Sequence, residues 1–270
     1  MRSLKSVAST DVAPSLYHMT RVISLVPSLT ETLIHCGVDV VGRTRFCVHP
    51  EEAVSEIPAV GGTKEVDWDK CRKLAPDLVI LDREENTREM ADACPFNWIA
   101  THVTSVNDVY DALSYIAGHI DCTPLHALAE DWRQLALRPP RHFPGWHDVP
   151  GTLRIVGDAS RNFDRIEYLI WRDPWMAVSR DTFIGSVLSQ VGLGKYLSDY
   201  ADKYPRLDES LPREDTFYLL SSEPFPFARY REELENRGFN GAVVDGEFYS
   251  WFGIRTYQLL KACLDSEESL

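Results

Sequence analysis

The 270-residue chain carries 28 Lys and Arg against 41 Asp and Glu, a formal charge of −13. That acidity, with no basic run of five residues, excludes nucleic acid or an anionic membrane surface as the main partner, because both attract clustered cations. Seven Trp, eleven Tyr and eleven Phe exclude extended disorder, and the length suits one large or two small domains.

The first twenty residues hold no apolar run of the kind a secretory leader needs, and no window reaches the length of a membrane-spanning helix. The six cysteines (36, 47, 71, 94, 122 and 263) show no CxxC and no short repeat. Together these predict reduced thiols in a cytoplasmic protein that is not embedded in a membrane. Residues 21–26 (RVISLV) predict a buried strand ended by Pro27. Ser28 and Glu31 read as a capping box for a helix that stops at Gly37. A second strand covers 38–42, followed by the loop 44–50. A strand end and glycine turn occupy 59–64, a helix 67–74, a strand 76–81, a helix 86–93 and a strand 96–100. This alternation predicts an α/β fold with a parallel sheet covered by helices.

Two helices follow, over 107–119 and 123–137. The segment 138–164, rich in Pro and Gly, reads as an irregular linker or insertion. Alternation resumes with strands 166–171, 216–220 and 242–244 and helices 183–191, 230–237 and 249–264, ending in an acidic tail. Gly192-Leu193-Gly194-Lys195 reads as a helix end, not a phosphate loop. The predicted organisation is an N-terminal α/β lobe over 20–104, connecting helices over 105–138, an irregular insertion over 139–164 and a C-terminal α/β lobe over 165–265.

The run from Arg21 to Glu31 resembles the opening of binding proteins for vitamin B12 and iron–siderophore complexes. Gly61-Gly62 followed by Ala75-Pro76-Asp77-Leu78-Val79 is similar to that family's next signature. Trp175-Met176-Ala177-Val178, Asp181-Thr182-Phe183-Ile184 and Asp245-Gly246-Glu247 with Trp251 resemble its second half, in order over about 20–265. The family is the helical-backbone metal receptor superfamily, the class III periplasmic binding proteins. The resemblance implies two Rossmann-like lobes with mostly parallel sheets, joined by a backbone helix, with ligand in the cleft between them. It implies a substrate-binding protein of the ABC-transporter receptor type, whose ligand is a metal chelate such as a cobalamin-like corrinoid, haem or an iron–siderophore. It also implies an ABC-transporter permease as partner, although relatives are periplasmic or lipid-anchored and this chain shows neither leader nor lipobox.

In open α/β sheets ligands sit beyond the carboxyl ends of the strands. That rule selects Ser28 and Thr30, loop 45–49, Thr63 and Lys64, and 83–86 in the first lobe. In the second it selects 171–175, 179–182, 221–225 and 247–251. Arg45, Lys64, Arg172 and Arg180 are candidates for anionic groups on a ligand, or else surface ion pairs. Phe46, Trp171, Trp175, Phe225 and Trp251 are candidates for stacking on a planar ring, or else packing residues. Glu84 and Glu85 either bind in the cleft or favour the N-terminus of the following helix. Cys47 and His49, the one close Cys/His pair, either contribute to a metal site or pack within their loop. The alternative to a binding protein is a cytoplasmic enzyme using Cys47, His49, Glu84 and Glu85 in the same cleft. Replacing Trp175 or Arg45 by Ala is expected to weaken ligand binding without unfolding the chain.

Overall fold

A computed structural model describes residues 19–143, 145–207 and 210–266. The predicted leader-free N-terminus and the end of the acidic tail lie outside these residues. The first lobe is built from β1 (Arg21–Ser24), α1 (Pro27–His35), β2 (Asp39–Thr44), α2 (Glu51–Ser55) and β3 (Ala59–Gly61). It continues through α3 (Trp68–Leu74), β4 (Leu78–Asp82), α4 (Arg88–Asp92) and β5 (Trp98–Thr101). Its five strands are all parallel, in the order β3-β2-β1-β4-β5. The central strands are buried on both faces, which is why β1 and β4 read as nearly unbroken apolar runs.

The capping box predicted for α1 does not form. Val26 is the N-cap, no side chain caps it, and Pro27 supplies the preset backbone angle of the first turn. Glu31 instead grips Arg255 with both oxygens, at 2.9 and 2.6 Å. Asp67 and Thr87 do cap α3 and α4, accepting from the Lys70 and Met90 amides.

α5 (Val109–Ile120) and α6 (Thr123–Ala136) form an antiparallel pair after the first lobe. The second lobe follows with β6 (Thr152–Val156), β7 (Arg165–Trp171), β8 (Met176–Ala177) and α7 (Phe183–Gln190). β9 (Thr216–Ser221), α8 (Arg231–Asn236), β10 (Gly241–Val244), α9 (Gly246–Ser250) and α10 (Ile254–Asp265) complete it. Its sheet runs β6-β10-β9-β7-β8, with a parallel centre and an antiparallel strand at each edge. β6 falls in the segment expected to be irregular. It is an edge strand with Leu153 58% exposed, so burial leaves little apolar signal there.

The helix expected over 249–264 is two helices. Gly253 breaks it at φ +112°, and a Cβ there would lie 2.1 Å from the Thr32 hydroxyl oxygen. That hydroxyl accepts from the Ile254 amide at 3.0 Å, and the Gly253 carbonyl accepts from the buried Trp132 indole at 3.1 Å. The break thus docks α10 on both α1 and α6. One apolar cluster runs from Leu29 and Leu33 of α1, through Leu113 and Trp132 of the helix pair, to Phe217 of β9 and Leu260 of α10. The outer face of each sheet has its own smaller cluster. Packing through a shared core fixes the two lobes with their strand tips toward a common groove. Among the described residues no helix is long and apolar enough to cross a membrane.

Candidate functional site

The groove holds a cavity of about 560 Å³ walled from both lobes. Phe46, Thr63 and Glu85 line it on one side, and Ile170, Glu223 and Trp251 on the other. Phe46 and Val48, both in the loop after β2, are 49% and 47% exposed, so apolar surface faces the opening. Arg45 lies along this wall, with Nη1 2.6 Å from Glu65 Oε1 and its guanidinium 5.0 Å from the Phe46 ring centre. A Cβ on Gly62 would stand 2.9 Å from Arg45 Nη2, so the glycine leaves room for the guanidinium. A smaller recess of about 120 Å³ shares Glu85, Ile184 and Ser250 with the main cavity and extends to Glu84, Lys203 and Tyr204.

Charge across the groove is dominated by carboxylates. His49 Nε2 lies 3.1 Å from Glu247 Oε2, whose carboxylate also meets Arg255 at 3.2 Å. Arg255 in turn holds Glu31, so a charged chain links the first lobe, α9 and α10. Burial pushes the Glu247 carboxyl up, against the pull of Arg255 and His49. On the other side Lys203 reaches across to Glu84 at 3.6 Å, and His102 lies 3.8 Å from the same carboxylate. Asp82 accepts from the Thr101 hydroxyl at 2.6 Å and the Glu84 amide at 2.8 Å, and burial still raises its pKa. Glu223 is raised to about 7, mainly by burial, with Glu247 and Glu85 adding to the rise and the Ser250 hydroxyl at 3.2 Å opposing it. Glu85 is also raised: the walls of the groove crowd it, although its side chain still reaches cleft water.

Of the residues predicted from sequence, Arg45, Phe46, Glu85 and Trp251 line the main cavity, and Glu84 lines the recess. Lys64 adjoins them, its ammonium donating to the Glu84 carbonyl at 3.3 Å. Ser28 is 7% exposed in the first turn of α1, beside the lining Pro27. Trp171 is 41% exposed next to the lining Ile170, with its ring against Phe225. Phe225 packs on Phe227 and Tyr230 within the second lobe.

Trp175 does not line the groove. It is 5% exposed in the outer core of the second lobe, parallel to Phe227 at 6.1 Å and beside Phe239. The chain turns back after β7 into the antiparallel β8, which carries Trp175 onto the outer face of the sheet. Arg172 is paired with Glu233, at 3.1 Å through Nη1, and lies 5.6 Å from the Trp175 ring centre. Arg180 binds Asp199 at 2.7 Å and the Leu197 carbonyl at 2.9 Å. Both arginines brace the second lobe and are not held ready for an anion.

Cys47 points inward, 1% exposed, with Sγ 3.1 Å from both the Thr30 and Thr44 hydroxyls, and burial pushes its thiol up. His49 turns to Glu247 and Trp251 instead. Among the described residues no three His, Cys, Asp or Glu side chains converge on a metal position. Among the described residues the Cys47 thiol meets two hydroxyls and no base, whereas nucleophilic catalysis would need one. Sequence reasoning passed over Ile170 and Ile184, and it selected Val48, Glu223, Glu247 and Ser250 only as parts of loop ranges, without naming them as site residues. The two glutamates and Ser250 sit at strand ends already marked by the carboxyl-end rule, so the signal was present but attached to the aromatic neighbours.

No protein-family model and no curated protein matches the chain by sequence. Solved structures do match it in fold. The periplasmic vitamin B12 binding protein of Vibrio cholerae superposes with a TM-score of 0.63 at 17% identity, covering 92% of this chain and 96% of that one. A possible iron-binding, periplasmic solute-binding protein from Staphylococcus epidermidis gives 0.65 at 18% identity, covering 92% and 98%. A periplasmic heme binding protein from Pseudomonas aeruginosa gives 0.67 at 16% identity, covering 92% of each chain. The chain therefore has the two-lobed α/β fold seen in class III periplasmic binding proteins.

Proposed function

We propose that the chain is a substrate-binding protein that holds a metal chelate, of the corrinoid, haem or iron–siderophore kind, in the cavity between its lobes. The observation that carries this reading is the cavity itself. It takes apolar walls from Phe46 and Trp251 on opposite lobes, the arrangement a flat ligand needs. The structures of like fold, named as vitamin B12, iron and heme binders, support the ligand class. A binding role is also favoured over catalysis by the isolation of Cys47 and the pairing of His49 and Glu84 within ion contacts.

The reading includes a cytoplasmic carrier or store. Fractionation of the host separates that from an exported receptor docked on an ABC-transporter permease. Native mass spectrometry and an absorption spectrum of protein purified from its own host test the ligand class directly. A corrin, haem or iron–catecholate chromophore is expected, and it should be lost or weakened in Trp251→Ala and Arg45→Ala. A colourless protein that gains no such band on exposure to these chelates refutes the proposal.

A further inference from the structure

We propose that the cavity between the lobes takes a cationic ligand with an apolar body, its positive charge held between Glu85 of one lobe and Glu223 of the other. This rests on the cleft reading above and specifies the charge of what the cleft holds. The cavity, not the carboxylates, marks the site; the charges around it decide what enters.

Each cation near the cavity already has a partner. Arg45 is tied to Glu65, Arg255 to Glu31 and Glu247, His49 to Glu247, and Lys203 to Glu84. Lys64 lies in the field of Glu85 but donates its hydrogen bond to the Glu84 backbone carbonyl. Among the described residues the Glu85 carboxylate has no hydrogen-bond partner and the Glu223 carboxylate has only the Ser250 hydroxyl, yet both open on the cavity. Glu85 lifts the affinity of Glu223 for a proton, the effect of one negative charge on another across the groove. A positive charge between them removes that repulsion and draws the two lobes together, whereas a carboxylate on the ligand adds to it. Phe46, Val48, Ile170 and Trp251 supply the surface for the apolar body.

The test uses the full chain and two derivatives of one ring: haemin, which carries two propionates, and its bis(2-aminoethyl)amide, which carries two ammonium groups. Binding is read as the shift of the ring's main absorption band during titration. The ammonium form is expected to bind at least about tenfold more tightly, with the margin shrinking between about 20 mM and about 500 mM NaCl. Glu85→Gln and Glu223→Gln should each erase most of that margin while leaving the far-ultraviolet circular dichroism unchanged. Equal or tighter binding of haemin overturns the charge assignment and leaves the cleft reading standing. Failure of both rings to bind, or binding unaffected by Trp251→Ala, overturns the cleft reading and this assignment with it.

Discussion

Glu223 offers the sharpest test of how the groove is charged. Its carboxyl moves from an ordinary 4.5 to about 7 because the groove desolvates it and sets Glu247 and Glu85 beside it. At about 1.4 kcal/mol per pH unit, holding it ionised would cost about 3 kcal/mol, and its partial exposure trims this to about 2 kcal/mol. The folded protein keeps this proton to a higher pH than the unfolded chain does. Stability contributed by the neutral group is therefore complete below about pH 4.5 and falls as pH rises to about 7. Glu223→Gln keeps the shape and can still accept from Ser250 but cannot ionise. It is expected to match the parent in urea unfolding at about pH 5 and to be more stable by about 2 kcal/mol at about pH 8. An equal difference between the two proteins at both pH values would show that Glu223 is not desolvated in this groove, and the reasoning would fail.

Trp175→Ala should lower stability by about 3–5 kcal/mol in urea unfolding, because it empties a core position against Phe227 and Phe239. The fraction that stays folded should bind ligand normally, and a selective binding defect would return Trp175 to the groove. Arg255→Met leaves Glu31 and Glu247 without their shared cation and is expected to cost about 3 kcal/mol by the same assay; a neutral result would mean the network is solvated. Gly253→Ala, strained by its positive φ and blocked by Thr32, should cost more than about 1 kcal/mol in urea unfolding, and an unchanged stability would contradict the docking of Gly253 on Thr32. Native thiol labelling should reach the partly exposed Cys94 well before Cys47, which is buried between two hydroxyls with its thiolate disfavoured by burial; labelling of Cys47 as fast as Cys94 would contradict that placement.

The fold was legible because burial writes itself into short β-branched runs. β1, β4 and β9 are covered on both faces and stand out as apolar segments between turn residues. Signals weakened where burial did. β6 exposes Leu153 and Arg154 at a sheet edge, and its neighbours are Pro and Gly, so it read as linker. The site was legible in position but not in direction. Counting strand ends marked the right loops, and Arg45, Phe46, Glu85 and Trp251 do reach the cavity. It could not show that β8 folds back and carries Trp175 to the far face. Nor could it show which arginines already have partners: Arg172 and Arg180 bind acids more than fifteen residues away in sequence, contacts that only the tertiary fold creates. Ser28 and Glu31 fit a local motif, but Arg255, from the other end of the chain, claimed the glutamate.

The central claim is that one ligand touches both lobes at once. Hydrogen–deuterium exchange with and without the bis-ammonium iron porphyrin measures this most directly. Slowed exchange is predicted in two separate stretches, residues 45–49 with 63–64 and residues 221–224 with 247–251, at the same ligand concentration. Protection confined to one lobe, or appearing instead around Trp98 and Tyr115 on the outer side of the first lobe, would contradict it.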